Sequence, residues 1–365
     1  MDKPIIVDGH EDLAWNMLTF GRDYTLAAAE TRQREQGSLV PLHNGDTLLG
    51  WPDYQRGRVA VVFGTLFNAP ARRKQGDWDS PCYATFDEAY TLYRRQLEAY
   101  HRLTDEHPDM FRLVQTRADL QAVLAHWRRS DTDEHPVGLV VLMENAEGVR
   151  QPAELEEWWA EGVRIIGPAW AGTRYCGGTR EPGPLTAEGH ALLKRMAALG
   201  FVLDLSHMDA QAALQALDSY PRTVIASHGN ALALLPGSES NRHLPDNVLR
   251  GLIERDGVIG LVPMNAFLKT GWQKSAGRQD VSVERLVVQI DYICQLAGDA
   301  RHAGLGSDFD GGFGLQSVPS ELDTIADLQI LAPRLAQKGY TGEDIAAILG
   351  GNWLRMLQDT LPEVA

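Results

Sequence analysis

Eight short apolar runs, interleaved with stretches of helical periodicity, constrain this chain more than any other feature. They fall at 5–7 (IIV), 59–67 (VAVVFGTLF), 137–143 (VGLVVLM), 163–169 (VRIIGPA), 201–205 (FVLDL), 223–226 (TVIA), 258–264 (VIGLVPM) and 303–306 (AGLG). Their apolar character is continuous rather than alternating, as in strands buried on both faces of a parallel sheet. Helical patterns occupy 85–106, 117–129, 152–161, 186–199, 209–219, 244–255, 281–296, 320–338 and 342–357. The starts TAEG (186–189) and TGED (341–344) carry an N-cap threonine and early carboxylates. Eight strand–helix units predict a (β/α)8 TIM-like barrel, with a doubly wound open sheet as the alternative. No composition break or linker divides the chain, so it reads as one barrel domain over residues 1–365. The segments 172–184 and 269–280 read as long loops. On the C-terminal face of a barrel such loops cover the site.

Composition removes several classes. A chain 44% hydrophobic and 23% charged is not disordered. Its 34 Lys and Arg against 49 Asp and Glu give a net charge of −15, opposite to the basic surface of a nucleic-acid binder. Cys82, Cys176 and Cys294 are odd in number and widely spaced, which supports neither a disulfide framework nor a zinc ribbon. The N-terminus lacks a basic region followed by an apolar run, and no stretch reaches the ~18 apolar residues of a membrane span. The expectation is a cytoplasmic protein with no nucleic-acid or membrane partner. Neither a GxSxG elbow nor a GxGxxG after a strand is present, which disfavours a serine hydrolase and a dinucleotide enzyme.

The positions of the polar residues carry the functional signal. His10 and Asp12 follow the first run, Glu144 the third, His207 the fifth, His228 the sixth and Asp308 the eighth. In a barrel these ends converge on one face. His43, His101, His107, His126, His135, His190 and His302 mostly fall elsewhere and are assigned surface or structural roles, while His243 stands apart because it follows Arg242. Imidazole with carboxylate suits Zn²⁺ or a similar divalent ion without a thiolate. Five such ligands and one further carboxylate accommodate two ions, between which a hydroxide can be held. Asp308 would then move a proton from that water to a leaving amine. The glycines around Asp308 shape a tight loop, and Trp158 and Trp159 read as packing residues. Trp272, in a polar loop, reads as a lid or subunit contact.

The segments DGHED (8–12), DLSH (204–207), ASH (226–228), SNRHLPD (240–246), GSDFDG (306–311) and GNWLRM (351–356) together resemble the membrane dipeptidase (renal dipeptidase) family of the amidohydrolase superfamily. The resemblance runs from residue 8 to about residue 356. It implies a distorted (β/α)8 barrel and a binuclear zinc dipeptidase with two Zn²⁺ per chain, acting on dipeptides with a free C-terminal carboxylate and tolerating C-terminal D-residues. By the same resemblance His10 and Asp12 bind the first zinc, His207 and His228 the second, and Glu144 bridges them. Asp308 is the general acid/base. Arg242 holds the substrate carboxylate, a bidentate task suited to guanidinium. A homodimer is also implied.

Two departures stand out. Trp170 occupies the position where mammalian members carry a histidine that contacts the scissile carbonyl, and an indole offers one N–H and no basic nitrogen. The family's Glu-Gly pair is here stretched to Glu144-Asn145-Ala146-Glu147-Gly148, which makes Glu147 a rival bridge; Glu144 is preferred because it directly follows the apolar run. Three functions are weighed: a dipeptidase, an N-acyl-amino acid amidohydrolase in which Trp170 stacks on or excludes the acyl group, and a non-catalytic barrel. The complete ligand set with Asp308 stands against the last.

Overall fold

The computed structural model describes residues 4–129 and 134–364. The eight apolar runs become eight parallel strands: β1 Ile6–Glu11, β2 Val59–Leu66, β3 Val137–Glu144, β4 Val163–Gly167, β5 Val202–Asp204, β6 Val224–Ile225, β7 Ile259–Leu261 and β8 Ala303–Leu305. Their spatial order is β7-β8-β1-β2-β3-β4-β5-β6. A parallel bridge between Ala226 and Ile259 links β6 back to β7. This closure distinguishes the barrel from the open-sheet alternative. All eight residues of β2 and of β3 are buried, which is why neither run alternates with polar residues. A ninth short strand, Phe111–Leu113, pairs with the start of β3.

Helices cover the barrel where the periodicity predicts them. Thr186 caps Ala187–Leu199 by accepting from the Gly189 amide, and Thr341 forms a capping box with Asp344. The 320–338 pattern begins with a 3₁₀ stretch, Ile325–Ile330, before the helix Leu331–Lys338. The last pattern is not one helix. It runs from Gly342–Ala346 through a π turn, Ala347–Gly351, into Asn352–Thr360. The π turn presses against β1, where a Cβ on Gly350 would lie 2.7 Å from the Ile5 carbonyl. Trp353 is thereby inserted beneath the barrel, its indole N–H donating to the Leu305 carbonyl at 2.8 Å.

Three expectations change. The segment 172–184 is not a plain loop, because Cys176–Gly178 and Glu181–Leu185 pair as an antiparallel hairpin. Its Gly and Pro content masks the strand pattern, yet glycine is what permits the pairing: a Cβ on Gly177 would lie 2.1 Å from the Gly183 nitrogen. Trp272 does not project as a lid. It is buried and donates to Gly277 O within its own loop, at 3.2 Å. The stretch between β1 and β2, where the sequence marks no element, holds four helices: Leu13–Phe20, Ala28–Glu35, Val40–His43 and Trp51–Gly57. Trp158 is fully buried, as expected of a packing residue. No helix among the described residues is long and apolar enough to cross a membrane.

Candidate active site

The strand ends bring the six predicted side chains together. His10 lies within β1, Asp12 directly after it, and Glu144 is the last residue of β3. His207, His228 and Asp308 each stand three residues beyond β5, β6 and β8. Three overlapping groups form: His10 with Asp12 and Glu144; Glu144 with His207 and His228; and His10 with His228 and Asp308. Within each group the ligand atoms lie within 4.8 Å of one another. Glu144 Oε1 is 3.0 Å from His207 Nε2, 3.4 Å from His228 Nε2 and 3.8 Å from His10 Nε2. Glu147 joins none of these groups; its Oε2 accepts from the Tyr83 hydroxyl at 2.5 Å.

A hydroxyl relay orients two of the imidazoles. Ser227 Oγ lies 2.9 Å from His228 Nδ1 and 3.3 Å from His10 Nδ1. Its own proton goes to Asp204 Oδ2 at 2.5 Å, so Ser227 accepts from both rings. That assigns the proton of each ring to Nδ1 and aims a bare Nε2 at Glu144. Asp204 is held in turn by the Ser227 amide at 2.8 Å and the Ser206 hydroxyl at 2.8 Å. Thr179, at the turn of the hairpin, places Oγ1 3.0 Å from His207 Nδ1. Sequence reasoning missed these supporting residues, although Asp204 and Ser227 stand inside DLSH and ASH.

Backbone strain gathers at the same face. His207, Asp308, Asp310 and Asn145 take positive φ values of 65°, 56°, 63° and 76°. Such conformations in non-glycine residues persist only where surrounding contacts hold them. For the Asp308 loop those contacts are visible. Asp310 accepts from Arg22 Nη1 at 2.8 Å, the Tyr24 hydroxyl at 2.8 Å and Thr47 Oγ1 at 2.6 Å. Its carbonyl accepts from Asn16 Nδ2 at 2.8 Å. The helical stretch between β1 and β2 thus clamps the loop that carries Asp308. Gly311 completes it, since a Cβ there would lie 2.2 Å from Asp308 Oδ1.

Burial sets the electrostatics. It holds the His10, His207 and His228 imidazoles well below their usual range, with the Arg242 charge adding to the effect. It pushes Glu144 and Asp308 well above the carboxylate range, reinforced by the charge of Asp12, and Asp12 itself up to about 7. His10 Nε2 is buried without a hydrogen-bond partner. His207 Nε2 and His228 Nε2 face each other at 2.9 Å. Ring nitrogens and carboxyl oxygens thus converge at distances at which one ion could touch several of them. A divalent ion with N and O ligands fits that donor set.

Arg242 lies on the loop after β6, buried, with Nη2 donating to the His228 carbonyl at 3.2 Å. Its guanidinium carbon sits 5.3 Å above the Phe267 ring, and Nη1 has no partner. Arg242 lines the cavity, where a guanidinium has the shape and charge to meet a carboxylate. The neighbouring His243 packs edge-on against Phe267 with centroids 4.9 Å apart, and burial pushes its pKa down to about 4. Among the described residues, neither His243 nor the other seven histidines outside the site join the clusters. The cavity above the cluster measures about 290 Å³ and includes Asp12, Glu144, Trp170, His207, Arg242 and Asp308 in its lining. That volume lies at the small end of ligand pockets.

The family profile described as membrane dipeptidase (peptidase family M19) matches residues 1–362. The chain is 33% identical over 237 residues to an uncharacterised protein in the pqqA 5′ region of Klebsiella pneumoniae, covering 62% of this chain and 83% of that one. It is 26% identical over 360 residues to the dipeptidase aclJ of Aspergillus oryzae, covering 97% and 78% respectively. Its fold is similar to that of a metallo peptidase from Rhodobacter sphaeroides liganded with a phosphinate mimic of the dipeptide L-Ala-D-Ala: TM-score 0.78, 22% identity, covering 98% of this chain and 100% of that one. With a profile match spanning almost the whole sequence, the chain belongs to the membrane dipeptidase family, peptidase family M19, and with it to the metallo-dipeptidases.

Proposed function

We propose that this chain is a binuclear zinc dipeptidase that cleaves dipeptides bearing a free C-terminal carboxylate. The observation that carries the reading is that Glu144 belongs to two ligand groups at once, one with His10 and Asp12 and one with His207 and His228. His10 and Asp12 would hold one zinc, His207 and His228 the other, and Glu144 both. When bound, the ions supply Lewis acidity, polarising the scissile carbonyl and lowering the pKa of the attacking water.

The chain's own residues do the rest. Arg242 receives the C-terminal carboxylate and fixes the scissile bond over the cluster. Asp308, its pKa raised by burial, takes a proton from the attacking water and delivers it to the leaving nitrogen. Trp170 lines the cavity and presents an indole rather than an imidazole to the substrate. Because the Rhodobacter relative was crystallised with a mimic of a dipeptide ending in D-Ala, C-terminal D-residues belong in the first panel.

Amine release from L,L-, L,D- and N-acylated dipeptides by zinc-loaded protein tests the reading. Turnover of free dipeptides is expected. Turnover confined to acylated substrates would make the chain an N-acyl-amino acid amidohydrolase. Replacing Arg242 by methionine removes a charge-assisted hydrogen bond, worth about 1.5–3 kcal/mol, and should raise KM by roughly 10- to 100-fold. An unchanged KM would place the carboxylate elsewhere. Changing Asp204 to Asn should weaken metal binding by about 10- to 100-fold, because the Ser227 relay then loses its charged acceptor. Unaltered metal affinity in a chelator titration would show the relay to be dispensable.

A further inference from the structure

The two ends of the cavity differ in composition, and on the dipeptidase reading above that difference identifies a substrate class. Arg242, Met264 and Phe267 line the end formed by the loops after β6 and β7. Trp15, Phe67, Trp78 and Trp170 line the arc formed by the segments after β1, β2 and β4. The rings of this arc touch in series: Trp15 to Phe67 at 6.4 Å and Phe67 to Trp170 at 5.1 Å between centroids. Trp170 stands 6.2 Å from the His207 ring, so the arc begins at the edge of the cluster. Trp78 lies between His43, stacked at 4.7 Å and 13°, and Phe20, at 6.1 Å and 22°. Two other segments thus fix the orientation of this loop residue. Phe67, Trp78 and Trp170 are only half-buried, which leaves aromatic surface open to the cavity.

Two of the charged groups nearby are engaged within the protein. Arg73 pairs with Glu181 at 2.6 Å, and Asp79 accepts from the Gln75 amide at 2.9 Å within its own loop. With the C-terminal carboxylate on Arg242 and the scissile bond over the cluster, the residue on the amino side of that bond falls on the aromatic arc. We propose that this arc is a specificity subsite for a bulky apolar or aromatic N-terminal side chain, with Trp78 as its outer wall. Aromatic walls add edge-to-face and offset contacts to simple burial, so they discriminate by shape as well as area.

The test is kcat/KM of the zinc-loaded protein on Gly-Ala, Ala-Ala, Leu-Ala and Phe-Ala. Burying a large apolar side chain is worth roughly 1.5–3 kcal/mol, so Phe-Ala should exceed Gly-Ala by about 10- to 100-fold, with Leu-Ala between them. The Phe-Ala to Gly-Ala ratio should fall at least about fivefold in Trp78→Ala. Binding of L-phenylalaninamide against glycinamide, followed by tryptophan fluorescence, probes the arc without turnover and without a carboxylate for Arg242; the aromatic amide should bind more tightly. Turnover of all four dipeptides with a ratio near or below one, or equal binding of the two amides, overturns the subsite and leaves the dipeptidase reading standing. Silence on every dipeptide with both ions bound overturns both.

Discussion

Asp308→Asn should lower kcat by about a thousandfold while leaving the bound metal close to two ions per chain. The carboxyl of Asp308 sits 3.9 Å from His10 Nε2, on a loop whose backbone is held at φ 56°. Asparagine keeps the shape and most hydrogen bonds of that side chain but can neither accept nor return a proton. Positioned acid–base groups contribute roughly 10²- to 10⁴-fold, and in the proposed mechanism this one serves both the attacking water and the leaving nitrogen. KM should change little, because on the proposed reading the substrate carboxylate is held by Arg242 and not by Asp308. Steady-state kinetics beside metal analysis would decide the point. A loss of less than tenfold would remove Asp308 from the proton path. A parallel loss of metal would make it a ligand instead.

That Asp308 is legible in the amino-acid sequence reflects how barrels are built. A run such as VGLVVLM has no polar residue to spare for a solvent face, so its only neighbours are other strands and helices. Once the strands are parallel, a polar residue just past each run can only lie on the common rim. Glu144 and the histidines emerge from that argument alone. What escapes it depends on contacts between segments distant in sequence. Arg22 reaches Asp310 across 288 positions, and nothing local marks either residue as part of one network. The hairpin of 176–185 is hidden because its glycines and prolines read as loop, while the pairing needs them for close approach of the two backbones. Trp78 becomes informative only once Phe20 and His43 close around it. Asp204 and Ser227 sit inside motifs read mainly for their histidines; their role appears when the hydroxyl is seen between two rings.

The largest effect is expected at Glu144. Glu144→Gln should abolish binding of both ions at micromolar metal and take activity below detection, whereas loss of His207 alone should release one ion first. The reason is the shared geometry: only Glu144 stands in the group of His10 and Asp12 as well as in that of His207 and His228. An amide keeps the volume and removes the charge that two buried cations would need. The same electrostatics fix the pH dependence of loading. Without metal, burial raises the pKa of Glu144 and Asp308 well above the usual carboxylate range, and that of Asp12 to about 7. Asp12 is therefore partly protonated near neutral pH, and an ion that binds there must displace that proton. The three imidazoles are held neutral by burial and release none. Metal affinity should accordingly rise with pH from the ordinary carboxylate range through about 7, and flatten once these carboxyls are ionised in the metal-free protein. Calorimetry in buffers of different ionisation enthalpy should register net proton release on metal loading at pH 7. Affinity independent of pH between 5 and 8 would contradict this account, as would retention of both ions by the Glu144→Gln variant.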